Sequence, residues 1–371
     1  MGLLALLTGM FWIGEHGNYP KVYQYFVALP TIFLILLYPH CIVEQLDSSV
    51  GRMVVAFFGL VLLSLFWAHP ESGVLALLRR PVVVVLTFFA VHEVAAKVPR
   101  RFELVLMAAL ILATCFAAYA LGRFALDGGG KRLSGYGALY NPLLVSHVFG
   151  FFGALGLGYY FADRRLLAPT PLVVLALLGA ILVATGSRTP LVAMAATLFW
   201  LAALTANRKA VSVLSVVVAA GVISWVVWPE LFMQRGFSYR PQIWLEATRQ
   251  IREAPWFGHG FNTPMRIKLD DFDFAFVEPH NLTLSVMYDL GLAGVLAWLG
   301  IYANALKTAW MRRTQPLVLV VSATVVYGLF AGMTEGGAYL SRPKEHWFIV
   351  WIPIALLSAL IRKESVDRGT A

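Results

Sequence analysis

Apolar residues run along this chain in long blocks separated by short polar turns, with neither strand-like alternation nor a single amphipathic stripe. The blocks fall at 3–14, 23–39, 51–68, 80–96, 103–121, 140–162, 167–186, 189–206, 210–228, 282–306, 316–333 and 345–361. Roughly 20 apolar residues in a helix cross the hydrocarbon of a bilayer. Inside that hydrocarbon only helices and closed barrels satisfy their own backbone groups. The pattern predicts an all-α, polytopic integral membrane protein of about 12 transmembrane helices, or eleven if one short block does not cross. The whole chain, 1–371, reads as one transmembrane domain.

The longest break between blocks is 229–281, bounded by Pro229 and by Pro279-His280. This large outer loop, part of the same domain, lies between spans nine and ten. Within it, 242–253 places Ile243, Trp244, Ala247 and Ile251 near one face and its charged residues elsewhere. That is an amphipathic helix expected to lie on the membrane surface, with Trp244 at headgroup level. Pro255 is expected to end it, and Trp256-Phe257-Gly258-His259-Gly260 to turn the chain. Asp270, Asp271 and Asp273 follow; they read as a solvated loop, since their spacing lacks the full calcium-loop pattern.

Composition sharpens the class. Of 371 residues, 59% are hydrophobic and 13% charged, where a soluble domain carries about a quarter charged. A soluble fold of this length has nowhere to hide so much apolar surface. Cys41 and Cys115 are far apart, Cys115 within an apolar run, and read as small hydrophobes. The first residues, MGLLALLTGMFWIGEHG, lack a basic leader and a small-residue cleavage site, and read as a retained short span. Gly-Gly-Gly-Lys-Arg at 128–132 lacks the spacing of a nucleotide-binding loop.

The net charge of +9 has two origins. Compact basic clusters sit beside span ends: Lys97, Arg100 and Arg101; Arg164 and Arg165; Arg208 and Lys209; Lys307, Arg312 and Arg313; Arg362, Lys363 and Arg368. Placing these on the cytoplasmic side sets the N-terminus inside. A second population then falls on the outer face: Arg79, Arg80, Arg123, Lys131, Arg132, Arg188, Arg342 and Lys344, with six more in the loop. Headgroup snorkelling accounts for such residues in general. It does not account for Arg188, in the tight turn Gly186-Ser187-Arg188-Thr189-Pro190, and a basic outer cavity suits a phosphorylated lipid.

Candidate chemistry gathers at Glu278-Pro279-His280-Asn281. His280 stands at a helix N-terminus, where the dipole disfavours imidazolium and suits a proton acceptor; an interfacial cap is the plainer reading. Arg188 and Arg240 fall on the same face, and a guanidinium fork matches phosphate oxygens. Two arginines holding a diphosphate and one histidine activating an alcohol make a simple division of labour. Glu335 lies beyond span eleven as a carboxylate that orients His280 or binds acceptor sugar hydroxyls, or as half of an interfacial Arg–Glu pair. His92, Glu93 and His147 fall inside spans, with Asp289 on span ten. Ionisable groups in such places keep a secondary transporter or flippase as the alternative of another class.

The run His280-Asn281, nine residues, Gly291, two residues, Gly294 resembles a motif of the O-antigen ligase superfamily. So do the Ser187-Arg188 turn, the Arg240 and Trp244 pairing, the stretch 255–261, and the plan of about twelve spans with one large loop. The resemblance implies a multi-pass enzyme of the bacterial inner membrane with its site facing the periplasm, and it makes 229–281 a periplasmic loop. It implies a metal-independent, inverting glycosyltransferase with no cofactor and no soluble nucleotide or nucleic-acid partner. Its partners would be an undecaprenyl-diphosphate-linked glycan donor, a lipid A-core acceptor and membrane lipid. Carried onto this chain, His280 is the general base, Arg188 and Arg240 hold the diphosphate, and Arg80 and Arg132 are further candidates for the same anion. An O-antigen polymerase or a protein O-oligosaccharyltransferase is the alternative within the superfamily.

Overall fold

A computed structural model describes residues 1–39, 48–130, 132–162, 170–227 and 239–361. Cys41, Lys131, Arg164, Arg165, Pro229, Arg362, Lys363 and Arg368 lie outside the described residues. Each expected apolar block contains a helix. They are α1 (Gly2–Trp12), α2 (His16–Leu37), α3 (Ser49–Ser64), α4 (Val74–Lys97), α5 (Pro99–Leu126) and α6 (Pro142–Phe161). After these come α7 (Thr170–Ala184), α8 (Thr189–Thr205), α9 (Arg208–Val227), α10 (Arg240–Ile251), α11 (Leu282–Met311), α12 (Pro316–Gly332) and α13 (Trp351–Leu360).

Five of them, α2, α4, α5, α6 and α11, are long and apolar enough to cross a membrane. Others are short: the 11 residues of α1 rise only about 16 Å, half of a ~30 Å hydrocarbon core. Large apolar side chains face outward around the helices, among them Phe33, Phe66, Leu75, Leu172, Phe199 and Leu296. In water so broad an exposed apolar surface would be an association site; against lipid it is the solvated exterior.

The core forms where helices bury all their faces. α12 is buried along most of its length and packs against α6 and α8. Gly158 of α6 permits this approach, since a Cβ there would sit 2.6 Å from the Val320 Cα. Polar tips reach across helices: the Trp200 indole donates to Ser322 Oγ at 2.9 Å, and the Tyr327 hydroxyl to the Ser146 carbonyl at 2.9 Å. Phe57, Phe58, Trp298, Tyr339 and Trp351 pack on one another through tilted and edge-to-face ring contacts. Trp351 and Trp347 donate to the carbonyls of Tyr339 and Ser341, pinning the irregular segment after α12.

Two expectations are corrected. α4 begins at Val74, six residues before the expected block at 80–96, so Arg80 lies in its second turn and not at its end, with Pro81 inside the helix. The amphipathic helix begins at Arg240, and its apolar face meets protein: Ile243, Ala247 and Ile251 bury against Met265, Ile267 and Tyr288. Trp244 is likewise engaged by the chain, its indole donating to the Pro279 carbonyl. The loop also holds a two-stranded antiparallel ribbon, β1 (Ile267–Lys268) and β2 (Ala275–Phe276), with Asp270, Asp271 and Asp273 exposed at its turn.

Candidate active site

α11 is two helical pieces joined at Gly291, whose φ of 61° and ψ of −158° are not helical. Nearly only glycine occupies that region. The 255–261 turn docks into the break. His259 and Gly260 amides donate to the carbonyls of Tyr288 and Asp289 at 2.8 Å, and the Leu292 amide to that of Pro255 at 2.8 Å. A Cβ on Gly258 would lie 2.4 Å from the Asp289 carbonyl carbon, and one on Gly291 2.4 Å from that of Trp256. The glycines of both segments are thus a single backbone clasp, which fixes the first half of α11.

That half-helix presents His280. Asn281 is its N-cap, its side chain accepting from the Leu284 amide at 3.0 Å. His280 precedes it in the left-handed region at φ 49°, uncommon for a non-glycine residue and a recurrent feature of active sites. Pro279 is buried, and its carbonyl accepts from the Trp244 indole at 3.0 Å. Helix α10 therefore braces the residue before the histidine. The His280 side chain is one-third exposed, with Nδ1 3.6 Å from Glu278 Oε1.

Arg240 opens α10, after Tyr239 in the left-handed region, and its guanidinium donates to Glu335 Oε1. Glu335 is buried just past α12. Burial pushes its carboxyl above the ordinary range, against the opposing pull of Arg240 and of His280. The Thr189 hydroxyl lies 3.4 Å from the same carboxylate and 3.0 Å from Thr334. Thr189 follows Arg188, the N-cap residue of α8, so the Gly186–Pro190 turn is drawn to the same point. Arg132 donates through Nε to the Thr185 carbonyl at 2.7 Å, at the start of that turn.

The structure thus brings His280, Arg240 and the Arg188 turn together around Glu335, with Arg132 behind the turn. Arg80 shares none of these partners. It donates to Asn262 Oδ1 at 3.0 Å, lies 5.7 Å over the Phe261 ring, and borders a cavity that Glu278 and Pro279 also line. Glu335 is half of an Arg–Glu pair, with Arg240, while the carboxylate beside the His280 ring is that of Glu278. The bridging role was not legible: an acid after an apolar helix and before Gly336-Gly337 is the only local signal. The Glu345 carboxylate is a second feature that spacing did not reveal, held by His16 and His346 at 2.7 Å each. Among the intramembrane groups, Glu93 pairs with Lys97 one turn on at 2.5 Å, and His147 lies 5.1 Å from the His346 ring. Among the described residues no three His, Cys, Asp or Glu side chains converge as metal ligands.

The sequence profile described as O-antigen ligase matches residues 173–299, which take in Arg188, Arg240, His280 and the clasp. A curated relative named O-antigen ligase, from Pseudomonas aeruginosa PAO1, is 45% identical over 360 residues, covering 97% of this chain and 90% of the relative. With that identity spread over nearly the full length of both proteins, the chain belongs to the O-antigen ligase family, multi-pass membrane enzymes of the glycosyltransferase type.

Proposed function

We propose that this protein transfers an O-antigen or similar glycan from undecaprenyl diphosphate to a hydroxyl of lipid A-core, at the periplasmic face of the inner membrane. Twelve helices cross, and the 229–281 segment lies on the periplasmic side. His280 accepts the acceptor's hydroxyl proton as that oxygen attacks the anomeric carbon. The bond from that carbon to the diphosphate breaks, its electron pair leaves with the diphosphate, and the configuration inverts. Arg188 and Arg240, with Arg132 behind them, hold the diphosphate as its charge develops. Glu278 orients the imidazole, and Glu335 sets the Arg240 fork relative to it.

The observation that carries this reading is Glu335: one buried carboxylate takes Arg240, touches the residue after Arg188, and lies within electrostatic reach of His280. The test uses purified protein, undecaprenyl-diphosphate glycan and lipid A-core. His280→Gln is expected to lower the transfer rate by about 10²–10⁴-fold while donor binding persists. Unimpaired transfer refutes the assignment of the base. Extension of the lipid-linked glycan itself, or modification of a protein serine or threonine, would instead identify a polymerase or a protein-directed enzyme.

A further inference from the structure

The cavity on the Arg80 side of His280 has no role in the clamp just described. It encloses ≈ 250 Å³, bordered by Glu71, Arg80, Asn262, Glu278, Asp289 and Tyr339. Glu71 and Glu278 flank its single guanidinium, so a diphosphate placed there meets like charge. Sugar hydroxyls are the better match. Each is one donor and two acceptors; carboxylates take the donors, while Arg80 and the Asn262 amide supply protons to the oxygens.

The polar groups are already fixed. The Tyr339 hydroxyl holds Asp289 Oδ2 at 2.9 Å, and Asn262 holds Arg80 at 3.0 Å over the Phe261 face. A ligand thus meets oriented partners and loses little to ordering them. The cavity also reaches the base: Glu278, one of its walls, is 3.6 Å from His280 Nδ1.

We infer that this cavity is the acceptor subsite, holding an uncharged sugar ring with free hydroxyls so that one of them faces His280, while the diphosphate lies on the Arg240 and Arg188 side. The inference rests on the transfer reading above. In it Arg80 serves the acceptor and not the clamp.

The test is steady-state transfer by the full-length protein in nanodiscs, varying undecaprenyl-diphosphate glycan and lipid A-core separately. Glu71, on the exposed rim, is replaced in Glu71→Gln, and the buried wall in Asp289→Asn. Each variant is expected to raise the KM for acceptor by about tenfold, the loss of a hydrogen bond to a charged group, with the donor KM and the rate at saturating acceptor unchanged. Should Asp289→Asn fail to fold, Glu71→Gln decides alone. A raised donor KM with an unmoved acceptor KM assigns the cavity to the donor and overturns the inference. So does no change in either. A wild-type protein that transfers nothing between these lipids is a different result, which fells the function reading and the subsite together.

Discussion

A single methyl group at position 291 separates the clasp from ordinary packing. In Gly291→Ala the new Cβ would lie 2.4 Å from the Trp256 carbonyl carbon and 2.5 Å from the Phe257 nitrogen. Keeping the native backbone costs about 2 kcal/mol for the glycine-only φ and ψ, before that contact is relieved. Relief to a normal ~3.5 Å separation moves the 254–260 turn outward by about an ångström. Four backbone hydrogen bonds then open: His259 to Tyr288, Gly260 to Asp289, Leu292 to Pro255 and Ala293 to Trp256. At about 1 kcal/mol each they cap the loss near ~4 kcal/mol, because opening the clasp is always the available escape. Differential scanning fluorimetry in detergent should show the unfolding midpoint lowered by roughly 8 °C, at about 2 °C per kcal/mol for a chain of this size. The open clasp frees the first half of α11, and a displacement of about 1 Å at His280 should cost ~10²-fold in transfer. Gly258→Ala attacks the same clasp from the other side, so the double variant should be no worse than either single one. Wild-type stability and rate in Gly291→Ala would refute this reasoning, as would losses that simply add in the double variant.

Three further outcomes are expected. Asn281→Ala removes the cap of α11 and should cost about 1 kcal/mol with a slower transfer, whereas Asn281→Asp, which caps equally well, should retain both; equal losses in the two would refute a capping role. Trp244→Phe keeps an aromatic ring, though a smaller one, and loses the bond to the Pro279 carbonyl, so the transfer rate should fall with at least about 1 kcal/mol of stability, and an unchanged rate would show that α10 does not brace His280. Arg240→Ala strands the buried Glu335 and should cost about 3–5 kcal/mol at neutral pH. The sign with pH follows from the raised carboxyl of Glu335: its stabilising share is complete below the ordinary 4.5 and is lost as pH rises through the higher folded-state value. Without Arg240 that value climbs further. Measured midpoints of the variant should therefore approach those of the wild type as pH falls from neutrality, and Glu335→Gln in the same background should abolish the trend. A deficit independent of pH contradicts the pairing.

Much of the architecture was legible because a bilayer imposes a length rule on the chain itself. A helix wherever twenty apolar residues run together needs no knowledge of neighbours, and α5 and α6 lie where their blocks predict. Helix ends were less legible: the fourth apolar block is expected from 80, whereas α4 begins at Val74, with Val74, Leu75 and Ala76 exposed ahead of the buried Leu77. The loop was legible as an interruption but not as an object. Its amphipathic helix was visible from periodicity, yet which surface that face covers depends on Met265, Ile267 and Tyr288, remote in sequence.

The site divides in the same way. His280, Arg188 and Arg240 could be singled out from residue type and from their places at span ends, and the glycines at 258, 260 and 291 from the motif. Why they must be glycine was decided by backbone 2.4–2.5 Å from any added Cβ, each other's segment for Gly258 and Gly291 and Ala68 for Gly260, a distance that no one-dimensional spacing encodes. Glu335 became the hub only when α8, α10 and the segment after α12 converged on it. The membrane-crossing pattern is a property of each segment's own solvation, which the sequence states locally. The pairing of charges is a property of segments nearly a hundred residues or more apart, and their shared burial decides which carboxylate answers which guanidinium.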